Sequence, residues 1–271
     1  MAPSSDRWRV SPGTELHLGG VDPGSTAGAP GDEDATDAAS EELRSRLEDL
    51  QERLWAEDRR SLLLVLQAID AGGKDGTIKK VFSGVNPQGV KVTSFKEPSD
   101  EELAHDFLWR VHKAVPARGE IGIFNRSHYE DVLVVRVHDI VPKSVWSKRY
   151  GIINDFEHTL TEAGTTVVKL FLHISKDEQA ERFRKRLDNP HKRWKFSKGD
   201  LAERARWDDY VAAFEDAISK TSTEHAPWYV IPADHKWYRD WAALSILVDT
   251  LEGLDPKFPE PEEGLDSVVV E

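Results

Sequence analysis

The run Asp70-Ala71-Gly72-Gly73-Lys74-Asp75-Gly76-Thr77 joins a glycine-rich turn to one lysine and two carboxylates, the ingredients of a site for a chain of phosphates. Gly72, Gly73 and Gly76 let the backbone turn tightly and gather its N–H groups at a helix N-terminus, which attracts anions. Lys74 adds a mobile cation that can reach bound phosphates. The run departs from the pattern G-x-x-x-x-G-K-[ST], because Ala68 stands at the first glycine position, Asp75 follows the lysine, and Thr77 comes two residues later. By itself it is equally a glycine turn capping an ordinary strand–helix unit, with Asp70 as a helix N-cap.

Two other groupings could complete such a site. Phe124-Asn125-Arg126-Ser127-His128-Tyr129-Glu130-Asp131 closes a second apolar segment with residues able to orient a metal or a nucleotide, although a local salt bridge also accounts for Arg126 and Glu130. Bases gather at Arg182, Arg184, Lys185, Arg186, Lys192, Arg193, Lys195 and Lys198, and Lys79 and Lys80 follow the glycine turn. A solvated helix face is the ordinary reading of such a run. No Ser/His/Asp constellation and no H-E-x-x-H spacing is present. Transfer of a phosphoryl group to an already ionised phosphate oxygen requires neither, since alignment and charge neutralisation suffice.

The elements that must position these groups alternate. Leu43, Leu47, Leu50 and Leu54 predict an amphipathic helix opening at Ser40, and Ser61 to Ile69 is a nearly continuous apolar run, as in a strand buried on both faces. A helix is expected from about Gly76 to Val85, a strand over Val90–Phe95, and a capped helix from Ser99 through Val115. A strand at Ile121–Phe124 and helices over Val132–Val137 and Lys143–Ala163 come next. Beyond them lie a strand at Thr166–Ile174, a basic helix opened by Ser175-Lys176-Asp177-Glu178, a long helix over Asp200–Lys220, a strand at Trp228–Ile231 and a last helix over Lys236–Leu251. This order implies an α/β fold, a parallel sheet with helices on both faces and ligands at the carboxyl ends of its strands.

A chain of 271 residues, 39% hydrophobic, suffices for one sizeable domain. With no cysteine, disulfides, thiolate metal sites and cysteine nucleophiles are excluded. The start, Met1 to Trp8, lacks the apolar core of a signal peptide, and no stretch approaches the roughly 20 apolar residues that span a bilayer, so a soluble, cytoplasmic protein with no membrane partner is expected. The formal net charge of −13 argues against a nucleic-acid partner, and no nucleic-acid-reading motif is present. Acids collect outside the periodic region, at Asp32, Glu33, Asp34 and Asp37 and at Glu260, Glu262, Glu263, Asp266 and Glu271. The expected organisation is a flexible arm over 1–39, a catalytic domain over 40–255 and an acidic tail over 256–271.

With these blocks in place, a family resemblance is specific. Asp70 to Lys79, Ser83-Gly84-Val85-Asn86-Pro87-Gln88-Gly89 and Phe124 to Asp131 resemble the Walker A segment, the loop after it and the Walker B segment of polyphosphate kinase 2 proteins, whose cradle also carries Asp in place of Ser or Thr after the lysine. Arg182 to Ser197 resembles that family's lid, and the likeness runs from about Leu43 to Leu251. It implies a P-loop kinase-like fold with a helical basic lid over about 182–205. The implied activity moves the terminal phosphoryl group of inorganic polyphosphate to AMP and ADP, giving ADP and ATP, with Mg²⁺ as cofactor. Asp70 would hold the metal and position the acceptor, Lys74 and Arg186 would stabilise the transferred group, Arg126 would contact phosphate, and Glu130 would assist. Asn125 matches members that also accept monophosphates, whereas aspartate there marks the diphosphate-specific group. Ala71, Gly72, Gly73, Asp75, Gly76, Thr77, Lys79, Lys80, Arg182, Lys192 and Lys195 would bind phosphates. The family also implies a homodimer or homotetramer. The competing readings are an ATP-dependent nucleoside monophosphate kinase and a non-catalytic polyphosphate- or nucleotide-binding protein.

Overall fold

A computed structural model describes residues 5–265, 268 and 270, so Met1 to Ser4 and the tail acids Asp266 and Glu271 lie outside the described residues. In chain order the elements are β1 (Arg9–Val10), α1 (Glu33–Glu57), β2 (Ser61–Gln67), α2 (Lys74–Val81), β3 (Val90–Ser94), α3 (Asp100–Leu103), α4 (Trp109–His112), β4 (Ile121–Asn125), α5 (Val134–Val137), α6 (Lys143–Glu162), β5 (Thr165–His173), α7 (Lys176–Asp188), α8 (Gly199–Ala205), α9 (Trp207–Thr221), β6 (Trp228–Pro232) and α10 (Lys236–Leu254).

Six strands form one sheet in the order β1-β6-β5-β2-β4-β3, parallel except for β1, which pairs antiparallel with β6. Every residue of β2 is buried, as its unbroken apolar run requires of a central strand. Helix α10 packs against α1 and α2, while α6 and α9 pack on one another with α5 beside them. The α/β class and the mainly parallel sheet agree with the sequence. Because β2 lies between β4 and β5, consecutive crossovers leave it in opposite directions, and this reversal opens a crevice at the carboxyl ends of the strands.

Three expectations change. The segment expected as a flexible arm is packed: Trp8, Val10 and Leu18 are buried, β1 extends the sheet, and Trp8 meets Trp241 edge-on at 5.5 Å. Its few apolar residues are dispersed and carry no periodic signal, so their partners come from distant elements. Helix α1 begins at Glu33, capped by Asp32, whose side chain accepts from Ala35 N. Its first turns bury Thr36 and Ser40 instead of leucines, and Ser40 Oγ donates to Thr36 O at 2.8 Å. The helices expected over 99–115 and 200–220 are each broken. Asp106 accepts from Leu108 N at 3.0 Å and starts α4 afresh. Arg206 leaves helical geometry between α8 and α9, ahead of the acids Asp208 and Asp209 that favour a new N-terminus. In the acidic tail Glu260, Glu262 and Glu263 are exposed.

Candidate active site

The register of β2 and β4 sets Leu66 opposite Asn125, so the two chains leave the sheet side by side. Arg126 N donates to Leu66 O at 3.1 Å, extending that pairing by one bond. The Asp70–Thr77 turn and the Asn125–Arg126 corner therefore face one space.

The turn needs its glycines. Gly73 has φ 106° as the N-cap of α2, and a Cβ there would stand 2.1 Å from Arg239 Nη1. A Cβ on Gly72 would lie 2.4 Å from the Ala68 Cβ. Ala71 and Arg126 are non-glycine residues with φ of 63° and 61°, each a strain of about 1–3 kcal/mol that the surroundings must hold. That both flank the same space is a mark of a functional site.

Lys74 bends back into this turn, donating from Nζ to the Ala68 carbonyl at 3.0 Å. Burial lowers its pKa from the usual lysine value and Arg126 lowers it further, against the opposing acids Asp70, Glu130 and Asp75. Arg126 Nη2 donates to Asp70 Oδ1 at 3.1 Å. Burial raises the Glu130 carboxyl above its usual range, against the pull of Arg126 and Lys74. Asn125 Nδ2 donates to Asp75 Oδ1 at 2.8 Å, and Lys195 Nζ reaches Asp75 Oδ2 at 3.4 Å. Burial disfavours the Asp75 charge, yet these two partners hold its carboxyl below the usual value.

These groups line one cavity of about 820 Å³. Asp70 to Gly76, Asn125, Arg126, Arg182, Arg186, Lys192 and Lys195 all border it, so most residues singled out in the sequence converge. The basic segment forms its roof as α7, a 3₁₀ turn at Arg193–Lys195 and α8. Arg186 Nη1 donates to Lys195 O at 3.3 Å, linking α7 to that turn.

Four expected residues stand elsewhere. Lys79 and Lys80 are exposed and do not border the cavity, and Thr77 is buried beneath the turn. Glu130 borders a smaller cavity behind Arg126. Arg182 is buried and committed to protein partners, donating to Ala71 O at 2.9 Å, Ala233 O at 2.6 Å and Glu178 Oε1 at 2.6 Å. It braces the turn from behind. His128 is fully buried against Glu157 Oε1 at 3.2 Å.

The structure adds Lys96, Lys185, Trp194, Lys236 and Arg239 to the lining. Lys236 and Arg239 open the helix after β6, and in a parallel sheet that connection emerges at the same edge as the glycine turn. Their spacing along one helix face was the available signal. Arg239 is buried, anchored through Nε and Nη2 to Asp240 Oδ1 at 2.8 and 2.7 Å.

Among the described residues no group of three or more His, Cys, Asp or Glu side chains is arranged to hold a metal. Mg²⁺ in phosphoryl transfer needs only one or two carboxylates, the rest of its shell coming from substrate phosphates and water. Asp70, partly exposed beside the cradle, suits that chemistry.

The arrangement, an anion cradle with converging cations and Asp70 at its flank, suits transfer of a phosphoryl group between two polyanions, and the relatives agree. The polyphosphate kinase 2 (PPK2) family profile matches residues 31–259. The chain is 56% identical over 98% of its length, and 99% of the relative's, to an AMP/ADP-polyphosphate phosphotransferase of Meiothermus ruber. It is 51% identical over 79% of its length, and 78% of the relative's, to an ADP-polyphosphate phosphotransferase of Rhodopseudomonas palustris. The crystal structure of polyphosphate kinase 2 from Arthrobacter aurescens TC1 superposes with a TM-score of 0.94 at 49% identity, covering 98% of this chain and 95% of that one. With a family profile covering residues 31–259 and relatives this similar along most of its length, the chain belongs to the polyphosphate kinase 2 family.

Proposed function

We propose that this chain transfers the terminal phosphoryl group of inorganic polyphosphate to AMP and to ADP, forming ADP and then ATP. The observation that carries this reading is the single cavity in which Lys74, the Asp70–Arg126 pair and the Asn125–Asp75–Lys195 bridge face one another beneath a basic roof. A polyanion bound there would favour the charged form of Lys74, which burial opposes. Arg126 and Arg186 would share the charge of the transferring group, and the strained Arg126 backbone would hold its side chain in place before substrate arrives. Bound Mg²⁺, held by Asp70, would neutralise charge between the phosphates. Asn125 in place of aspartate leaves the acceptor end one charge less negative, which supports acceptance of monophosphates.

The likeness to polyphosphate phosphotransferases favours polyphosphate over ATP as donor. Incubation with Mg²⁺, AMP and either polyphosphate or ATP tests this, and phosphorylation of AMP from ATP alone would refute it. The net charge of −13 supports the absence of a nucleic-acid partner. No helix among the described residues is long and apolar enough to cross a membrane. Exposed Ile140, Val145 and Ile152 support assembly as a homodimer or homotetramer, which sedimentation measures directly.

A further inference from the structure

Behind the Asp70–Arg126 pair lies a second cavity of about 250 Å³, which Asp70 and Arg126 border together with the first. The chemistry of its wall is different. Where cations dominate the larger space, this one is faced by Ile69 at the end of β2, Leu133 and Val134 at the start of α5, and Phe214 of α9. Phe214 is fixed against Phe171 at a ring distance of 4.4 Å. A polyphosphate chain has nothing to place on such walls. A nucleobase does, because its faces are apolar and flat, while the phosphates of the same molecule would emerge past Arg126 into the cationic cavity. The volume falls just under the range of about 300–1,000 Å³ usual for whole small-molecule ligands, in keeping with a seat for one part of a nucleotide.

The polar part of the lining has Glu130 beside Arg126 and, apart from them, His138 and Tyr210 gathered on the Glu203 carboxylate. Glu203 Oε2 accepts from Tyr210 OH at 2.6 Å and pairs with His138 Nε2 at 2.9 Å. Burial opposes its ionisation, but these two hydrogen bonds hold the Glu203 carboxyl below its usual range, so it is an ionised acceptor at neutral pH. A carboxylate at the edge of a base seat attracts an exocyclic amine and repels a carbonyl oxygen.

We propose that this second cavity seats the base of the acceptor nucleotide and that Glu203 is its specificity-determining residue, favouring a base whose edge presents an amine. The proposal rests on the larger cavity being the site of phosphoryl transfer. AMP and IMP make the discriminating pair, since IMP carries a carbonyl in place of the exocyclic amine of AMP and a proton on the neighbouring ring nitrogen.

The test is polyphosphate-dependent turnover of AMP and of IMP by the full chain and by two variants. Glu203→Gln, which can donate to a carbonyl, should lower the AMP/IMP ratio of kcat/KM at least tenfold, about what one charge-assisted hydrogen bond contributes. Val134→Phe, which fills the cavity, should raise KM for AMP at least tenfold and leave KM for polyphosphate unchanged. An AMP/IMP ratio that stays constant in Glu203→Gln, or a KM for AMP unmoved by Val134→Phe, overturns the proposal. Should the unmodified chain show no polyphosphate-dependent turnover of either nucleotide, the functional reading itself fails, an outcome distinct from both.

Discussion

Arg182 Nη1 donates to the Ala71 carbonyl at 2.9 Å, so the first base of the roof is bonded to the backbone of the phosphate cradle. Its other nitrogens reach Ala233 O and Glu178. Removing it would leave several buried acceptors unpaired. Arg182→Ala should therefore cost about 2–4 kcal/mol of stability and lower turnover with both substrates together. Thermal melting alongside kinetics checks this; a variant that melts like the parent and loses only polyphosphate affinity would place Arg182 in direct contact with the donor.

Lys195 bridges the roof to Asp75 from a half-exposed position, so its contribution is largely electrostatic and open to salt. Lys195→Ala should raise KM for polyphosphate while the fold is retained. The slope of log KM against log salt should become shallower by about one unit, as for one lost phosphate contact. A salt titration of the two proteins decides it.

Asn125→Asp sets a carboxylate against Asp75 Oδ1, which the amide now meets at 2.8 Å. The added negative charge at the acceptor end should lower kcat/KM for AMP relative to ADP by roughly tenfold, about 1.4 kcal/mol. Offering the two nucleotides separately, at saturating polyphosphate, gives the ratio.

Lys74 has a pKa below the ordinary lysine value, first because of burial and then because of Arg126. Its charge is thus lost on the alkaline side sooner than that of a free lysine, and bound phosphates push the value back up. The alkaline limb of kcat/KM, which reports the free enzyme, should fall at lower pH than that of kcat. A folded-state lysine pKa below the unfolded one also means a stability penalty at neutral pH that eases as pH rises through the folded value. Lys74→Met should abolish turnover while raising Tm slightly, a combination that calorimetry and the coupled assay measure together.

Lys169 and Glu157 form a fully buried pair at 2.5 Å, with Tyr129 OH donating to Glu157 Oε1 at 2.8 Å. Lys169→Met strands that carboxylate in the core. The expected cost is about 3–5 kcal/mol in denaturant unfolding, and pairing it with Glu157→Leu should recover much of it.

The glycine turn, the Asn125–Arg126 corner and the basic segment were legible because each is a short run whose residue types state their chemistry. The β2 and β5 strands were legible for a related reason, since a strand buried on both faces is mainly apolar. Trp8 and Leu18 were not, because a dispersed apolar residue is buried only if a distant surface receives it, and here that surface is α10, β6 and α9. Arg182 shows the same limit within the site. As one base among eight it reads as a ligand for polyanions, yet the carbonyls of Ala71 and Ala233 claim it. Arg239 is the converse, a base outside the basic run that lies against Gly73 in space.

The sequence by itself determined the chemistry of this protein: a phosphate cradle, a flanking carboxylate and a surplus of cations inside an acidic chain, on an alternating α/β pattern. Only the tertiary structure decided which cations line the larger cavity, that the N-terminal segment belongs to the core, and that a smaller cavity bordered by apolar residues and Glu203 lies behind Arg126. The reason is physical. Residue type and local spacing set what a side chain can do, whereas whether it is free to do it depends on the carbonyls, carboxylates and apolar surfaces that folding brings to it from far along the chain.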